Sequence, residues 1–545
     1  MFDSLPPGAP PATVEVSQKV LINGTALSTA VLLSHIIVNK TFNKIAYAKI
    51  IFLDGSASDA DFALSDDNNY KPGNQIEVQL GYSGNTDTVF KGVIIKHAIK
   101  VKGNGQSLLM IEAKDKAIKL TANRNSAYYI KQKDSDVITT LAGSLDTDIA
   151  DTKVTHPQLV QFDTTNWDFI VTRAEANSML VLTDDGKLVV KEPSTSGSPV
   201  LTATYGKDIF EFDAEMDARR QVAGVSSISW DYTQQQLEKS DPGSATFSDN
   251  GNISISDLGD VVGARVLLNH PGHLTQTQLQ SWSDAYALRN YLSKNVGRVR
   301  IQGNAKIKPG VMITLAGVGD RFNGNVFVSG VMHVYEGTWL TDVQFGWSEE
   351  PFYKKEGTMD KPTAGLLAGV NGLLIGTVLD TDDPDAGQYR VKVQVQTITS
   401  GNEGIWARVA TLDAGADRGA YFRPQKEDEV VLGFLNDDPR EPIILGYLHS
   451  SSSKKSPLPV DTGAEQYGFV TKEGVKLIFD DTNKRMTLSV TTATGEKSVT
   501  INDSSGAMVL ADENNNSIKM DTSGITIQAG PTGNVIIKGL QVMIN

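Results

Sequence analysis

His270-Pro271-Gly272-His273 is the closest pair of histidines in the chain. Two imidazoles this near one another are the first candidates for holding a metal ion. The spacing argues against it, because the helical zinc motif HExxH carries a glutamate between its histidines and no carboxylate flanks this pair. Pro-Gly between them makes a turn and not a helix face, so the pair reads as a loop. His35, His97, His156, His333 and His449 are scattered through strand-like stretches and read as half-buried residues. Cysteine is absent, which excludes disulfides, thiolate nucleophiles and cysteine-held metals. There is no GxSxG elbow, no phosphate loop and no GxGxxG after a strand; the glycines near Gly317 and Gly324 belong to hairpin turns. The chain has 64 Asp and Glu, and a glycosidase pair needs no motif, but the solvated turns of an acidic protein account for them. No catalytic, cofactor-binding or metal residue is assigned, and no cofactor is expected.

Composition narrows the classes further. A formal net charge of -14 argues against nucleic acid, whose phosphates need concentrated Lys and Arg, and against docking on anionic lipid by charge. No apolar run is long enough to span a membrane. The opening MFDSLPPGAPPATVEV has neither a basic n-region nor an apolar h-region, so synthesis in the cytoplasm without a signal peptide is expected. A length of 545 residues suits about three or four domains.

Strand patterns organise most of the chain. Residues 1–12 are a Pro-rich flexible lead. Residues 13–145 alternate through VEVSQKVLING, NKIAYAKIIFLDG, QIEVQLGY, TVFKGVIIKHAIKVKG and QSLLMIEAKD. They read as a first barrel with a helix at KDSDVITTLAGS. Residues 146–350 read as a second region with a barrel. It contains a helix that places Trp167, Ile170, Val171 and Ala174 on one face, a hairpin about Asp184-Asp185-Gly186, and the helical stretch LTQTQLQSWSDAYALRNYLSKN. A linker at 351–370, a small barrel at 371–449 and a second linker at 450–464 follow. The expected fold class is mainly β: two tandem barrels with attached helices, a further small barrel, and a C-terminal needle.

The needle, 465–545, carries the most informative pattern. Apolar pairs recur at Leu477/Phe479, Met486/Leu488, Val499/Ile501, Met508/Leu510, Ile518/Met520, Ile525/Ile527, Val535/Ile537 and Val542/Ile544. Members of a pair are two apart, so both fall on one face of a strand. Turn formers such as Asn514-Asn515-Asn516 and Pro531-Thr532-Gly533 separate them. A single-layer ribbon would leave this face in water, and the simplest cover is another copy of the same ribbon. A self-associating needle of three chains about one axis is expected, with the pairs from Leu477 to Ile537 as its core and Val542, Ile544 and Asn545 at its tip. Eight stacked strands would extend on the order of 40 Å.

The small barrel reads GIWARVATLDAGADRGAYFRPQKEDEVVLGFLNDDPREPIILGYLH. It closely resembles the OB-fold domain of the VgrG spike family and of contractile-tail phage spikes. The matching residues include Trp406, Arg408, Tyr421, Phe422, Pro424, Glu429, Gly433, Phe434, Pro439, Pro442 and Gly446. One departure is Glu427, where the family usually has Gly before the acidic pair. TVFKGVIIKHAIKVKG and WDFIVTRAEA resemble the hub of the same spikes, so the resemblance extends over roughly 13–545. It implies a trimeric β-helix or β-prism needle and a homotrimer whose paired hub barrels mate with a hexameric inner tube protein. It also implies baseplate proteins and a PAAR-type tip cap as partners, effector cargo, and transient contact with a target membrane, within an assembled injection particle delivered or released outside the cell. The short linker and the end of the chain inside the strand pattern lead to the expectation of no inserted lysozyme and no toxin domain, hence of a structural protein and not an enzyme. The alternative is a trimeric tail spike or adhesin that binds or cleaves a surface polysaccharide; it would need an aromatic groove, and the needle has no Trp and no Tyr beyond Tyr467.

Overall fold

The computed structural model describes residues 15–543 apart from 104, 195–196, 232–233, 247–249, 271–273, 348–349, 355–368, 385–387, 399–400, 451–454, 460–462 and 464. The expected lead 1–12, most of both expected linkers, and Ile544 and Asn545 lie outside the described residues. The chain divides into two compact units, Met1–Asp360 and Lys361–Asn545.

In the first unit, the alternating segments of both hub regions join one antiparallel sheet. Its order runs Ile209–Glu215, Val296–Gln302, Thr338–Phe345, Gly324–Glu336, Leu33–Thr41, Tyr47–Leu53, Ser107–Lys114, Asn85–Val101, Gln75–Tyr82, Val16–Ile22. Strands of the two expected barrel regions also pair with each other edge to edge, with Val331 opposite Lys40 and Val334 opposite Ile37. Each half keeps its own core. Ile36, Ile50, Val78, Phe90 and Ile111 fill the first, and Val299, Ile313, Val328, Val343 and Phe345 the second. The alternation in sequence becomes alternation of buried and open positions, as in the strand Tyr47–Leu53.

Buried charge pins the seam. Lys40 is 2% exposed, and its ammonium donates to Asp184 at 2.7 Å and Asp185 at 2.8 Å. Those carboxylates belong to the hairpin joining Leu180–Asp184 to Lys187–Lys191. Its turn residues Asp185 and Gly186 have φ of 59° and 97°, the left-handed pair that two-residue hairpins require.

The helices form where capping residues precede an apolar stripe. Asn166–Ala176 begins at Thr165, whose hydroxyl accepts from the Asp168 N–H at 3.0 Å. It buries Trp167, Ile170, Val171 and Ala174. Asp134–Ala142 packs beside it. Gln276–Leu292 is held at its start by a Thr275/Gln278 capping box. Asp134 ties these elements together, accepting from Arg173, His156 and Asn177. Burial alone would raise its carboxyl, but those hydrogen bonds and the Arg173 charge hold it well below the usual carboxylate range. Among the described residues no helix is long and apolar enough to cross a membrane.

In the second unit, Leu374–Asp380, Arg390–Val395, Ile405–Val409, Pro442–Tyr447 and Glu429–Phe434 close into a five-stranded barrel. Val378, Val391, Val393, Ala407, Val430, Leu432 and Ile444 fill it. Seven strands then run as an antiparallel meander: Gln466–Val470, Val475–Asp480, Arg485–Thr491, Glu496–Asn502, Ala507–Ala511, Ser517–Asp521 and Gly524–Gln528.

Candidate assembly interface

Each strand of the meander pairs with its neighbours in sequence because the turns between them are short and chemically specified. Asp480 accepts from the Asn483 N–H at 3.0 Å, Asp512 from the N–H groups of Asn514 and Asn516 at 2.9 Å, and Asp521 from the Ser523 N–H at 2.8 Å. These are side-chain-closed turns of the kind Asp favours. The Asn483 side chain is the main group holding the Asp480 carboxyl low, and the Asn516 side chain does the same for Asp512.

Register then decides where the apolar pairs go. Phe469, Leu477, Leu488, Val499, Leu510, Ile518 and Ile527 stand opposite one another in an unbroken row. Tyr467, Phe479, Met486, Ile501, Met508, Met520 and Ile525 form a second row beside it. Both rows lie on one face, because their members are two apart in every strand. The positions between the two rows carry Gly468, Ile478, Thr487, Thr500, Val509, Lys519 and Thr526 on the opposite face, which is mixed where the first is wholly apolar.

The apolar face is open in the single chain. Ile518 is 39% exposed, Leu488 47% and Ile525 70%. Fully burying one such side chain stabilises by about 1.5–3 kcal/mol. Leaving two rows of them half-covered therefore forgoes on the order of 10–20 kcal/mol per chain, as an upper figure. Association costs roughly 4–15 kcal/mol, so covering this face outweighs the entropy of bringing copies together. A patch of this extent on a stable protein marks an interaction surface.

The first rungs, Tyr467 and Phe469, were missed in the sequence, although the same spacing of two stood just before Gly474. Phe469 stacks on Phe422 of the barrel with ring centroids 5.4 Å apart and planes at 13°. The Tyr447 hydroxyl donates to the Phe422 carbonyl at 2.7 Å.

The last pairs depart from expectation. Val535, Ile537 and Val542 are exposed and lie in no strand, so among the described residues six of the eight expected strands form, and Gln466–Val470 brings the meander to seven. At the strand spacing of about 4.8 Å its first and last strands are about 29 Å apart. One missing donor and two contacts explain the break. Pro531 has no N–H to give a ladder, the Gly530 N–H is taken by the Asn516 side chain at 2.8 Å, and the Gly533 N–H bonds to the Gly530 carbonyl at 2.9 Å.

The residues matching the OB-fold pattern surround the closed barrel. Trp406 and Arg408 lie in its third strand, and Glu429, Gly433 and Phe434 in the strand Glu429–Phe434. Pro442 and Gly446 lie in Pro442–Tyr447. Pro424 is buried and Tyr421 is 70% exposed. Pro439 sits between Asp438 and Arg440, whose guanidinium donates to Asp438 at 2.7 Å. Glu427 has φ 73°, the left-handed region that glycine enters freely and other residues enter at a cost. The family's usual glycine and this chain's backbone therefore ask for the same conformation.

His270 ends the strand Arg265–His270, and 271–273 lie outside the described residues. Among the described residues no three His, Asp or Glu side chains gather to hold a metal ion.

Comparison with known proteins places these parts. Residues 12–336 match the family model described as the Alg8 N-terminal domain. Residues 374–449 match the Type VI secretion system/phage-baseplate injector OB domain. Residues 489–545 match the phage baseplate V C-terminal trimerisation domain. The Type VI secretion system spike protein VgrG3 of Vibrio cholerae serotype O1 is 33% identical over 98 residues, covering 16% of this chain and 10% of that protein. The chain thus spans about a tenth of the length of that curated relative. Similar solved structures include the 43 kDa tail protein of prophage MuSo2 from Shewanella oneidensis (TM-score 0.46, 9% identity, 61% of this chain and 99% of that one). A second is the E. coli c3393 protein, a component of the type VI secretion system (TM-score 0.38, 13% identity, 79% and 100%). A third is the half-lidded Francisella PdpA-VgrG complex (TM-score 0.39, 11% identity, 95% and 88%).

Proposed function

We propose that the chain, which belongs to the family described as the Alg8 N-terminal domain by a model that spans more than half of it, works as a homotrimeric central spike of the VgrG and phage-baseplate type, a reading supported by its injector OB and trimerisation matches and its VgrG3 relative. Three meanders pack their apolar faces about one axis to make the needle, and the hub joins this needle to a hexameric inner tube. The needle crosses the target membrane mechanically, with baseplate proteins around the hub and a PAAR-type cap at the tip. Its work is structural and not catalytic.

One observation carries this reading: two unbroken apolar rows on one face of a one-layer sheet, in a segment that overlaps the trimerisation match. The internal strands have both ladder partners within their own chain. The copies therefore meet face to face as a prism, and the force of contraction is borne by sheets whose hydrogen bonds are already closed.

Light scattering on the full chain, beside a chain ending at Pro459, tests the reading. A full-length mass near three times 58.7 kDa that drops on truncation is expected. A full-length protein at the single-chain mass overturns it.

A further inference from the structure

The hub carries an aromatic cleft that its described strands do not fill. Tyr82 and Trp339 stack there with ring centroids 5.3 Å apart and planes at 29°. Asn85, Asp87, Asn304 and Lys306 bring amide and charged groups to the same cleft, which has a volume of about 320 Å³. Trp339 is 3% exposed, and its indole N–H, a group that only donates, has no acceptor among the described residues. A buried donor without a partner is costly, and native folds leave few of them. The Tyr82 hydroxyl is already committed to the Gly303 carbonyl at 3.1 Å. Gly303 lies so close to the indole that a Cβ there would stand 2.0 Å from the ring, so the ring is clamped and cannot turn to find an acceptor of its own. The cleft therefore suits an apolar ligand that carries oxygen acceptors.

Such a ligand is tethered beside it. Residues 1–14, outside the described residues, read MFDSLPPGAPPATV, with proline at 6, 7, 10 and 11. The Glu15 carbonyl, where the described chain starts, accepts from the Ser83 N–H at 3.1 Å. Val16 stands opposite Tyr82 in the ladder and packs in one apolar cluster with Tyr82, Ala305 and Trp339. Paired Cα atoms are about 5 Å apart, and the four steps from Glu15 back to Pro11 reach at most about 14 Å. Pro10 and Pro11 are thus held within range of the cleft. Proline is apolar and has no N–H, so a run rich in it offers carbonyl acceptors and few donors. Such runs favour the extended polyproline II form, which lowers the entropy lost on docking, and aromatic-lined grooves are what receive them. An acceptor-rich segment and an orphan donor answer each other's need.

We propose that the proline-rich lead, residues 6–11, docks in the Tyr82/Trp339 cleft of its own chain, with a lead carbonyl accepting the Trp339 indole N–H and proline rings packing against Tyr82. The cleft is built from both halves of the hub sheet: Tyr82 and Asn85 come from the first, Asn304, Lys306 and Trp339 from the second. A docked lead therefore bridges the two halves, adding to the strand pairing of the seam. The docking goes beyond the spike reading and depends neither on the needle nor on the number of copies.

Fluorine NMR of the full chain labelled with fluorotryptophan tests the docking. The chain has six tryptophans, and the line missing from Trp339→Phe identifies the one in the cleft. A full chain carrying Pro6→Ser, Pro7→Ser, Pro10→Ser and Pro11→Ser is altered in the lead alone. It is expected to move the Trp339 line and to leave those of Trp167, Trp230, Trp282, Trp347 and Trp406 in place. A Trp339 line that does not move overturns the docking, as does a movement of all six lines together, which reports a change of fold. A Trp339 line that shifts on dilution of the unaltered chain shows the lead arriving from another molecule and overturns docking within one chain. Hydrogen exchange of amides 303–306 reads the same contact without touching Trp339. Exchange at least about threefold faster in the serine variant is expected, and equal rates overturn the proposal.

Discussion

Ile518→Asp places a charge in the middle of the first apolar row, between Leu510 and Ile527. In the single chain Ile518 is 39% exposed. With about 1.5–3 kcal/mol for full burial of such a side chain, roughly 1 kcal/mol per chain remains to be gained there on assembly. The substitution removes that gain three times over. It also brings three carboxylates to one axis, each unpaired and costing several kcal/mol to desolvate. Together these oppose the trimer by on the order of 10 kcal/mol, and each 1.4 kcal/mol is about a tenfold loss of association. The single chain suffers little, because water reaches the site, so the hub and barrel keep their folds. Burial favours the protonated carboxyl and so raises its pKa in the assembled state. The trimer binds the proton more tightly than the separated chains do, so the variant's assembly recovers as pH falls toward about 4. Thr526→Asp is the control: it lies on the opposite face, opposite Lys519. Light scattering and thermal unfolding at about pH 7 and about pH 4 read the outcome. A single-chain mass for Ile518→Asp at neutral pH, a trimer for Thr526→Asp and partial recovery in acid are expected. A trimer of undiminished heat resistance in Ile518→Asp at neutral pH refutes the inward assignment of this face.

Two further outcomes concern the hub and the barrel. His333 is 2% exposed, and burial, with the charges of Lys40 and Lys308, pushes its imidazole down to about 3. The unfolded chain takes up a proton near pH 6.5 that the folded hub refuses. Hub stability therefore falls as pH drops from about 6.5 toward 3, at up to about 1.4 kcal/mol per pH unit. His333→Asn, which can keep the bond to Thr341, flattens that slope in denaturant titrations; an unchanged slope counts against the assignment. At Glu427, the left-handed backbone costs a non-glycine residue about 1–2 kcal/mol, while glycine costs about 0.5–1 kcal/mol of unfolded-chain entropy. Glu427→Gly is expected to stabilise the barrel by about 0.5–1 kcal/mol and Glu427→Ala is not, measured by chemical unfolding. A glycine variant less stable than the alanine one would show that the glutamate side chain earns its place there.

What the sequence could show and what it could not divide along the range of the interactions. Needle pairs such as Met486/Leu488 and Val499/Ile501 were legible because a strand's period is two and the Asp- and Asn-rich turns between strands leave little freedom of register. The helix at 166–176 and the hairpin at 184–187 were legible for the same reason: cap, stripe and turn lie within a few residues of one another. The single hub sheet was not. It depends on Leu33–Thr41 meeting Gly324–Glu336, nearly three hundred positions later, and nothing local marks either strand as the other's partner. The pinning of that seam by Lys40 on Asp184 and Asp185 was equally hidden, since a lysine in an alternating strand ordinarily reads as solvent-facing. The tail shows the converse failure. NVIIKG has the composition of a strand, yet a strand needs an edge to pair with, and Asn516 and Pro531 carry the segment away from the one its own chain offers. Composition states a capacity for pairing, and only the surroundings supply the partner. Where the single chain supplies none, as on the open face at Ile518, that want of a partner points to the other copies.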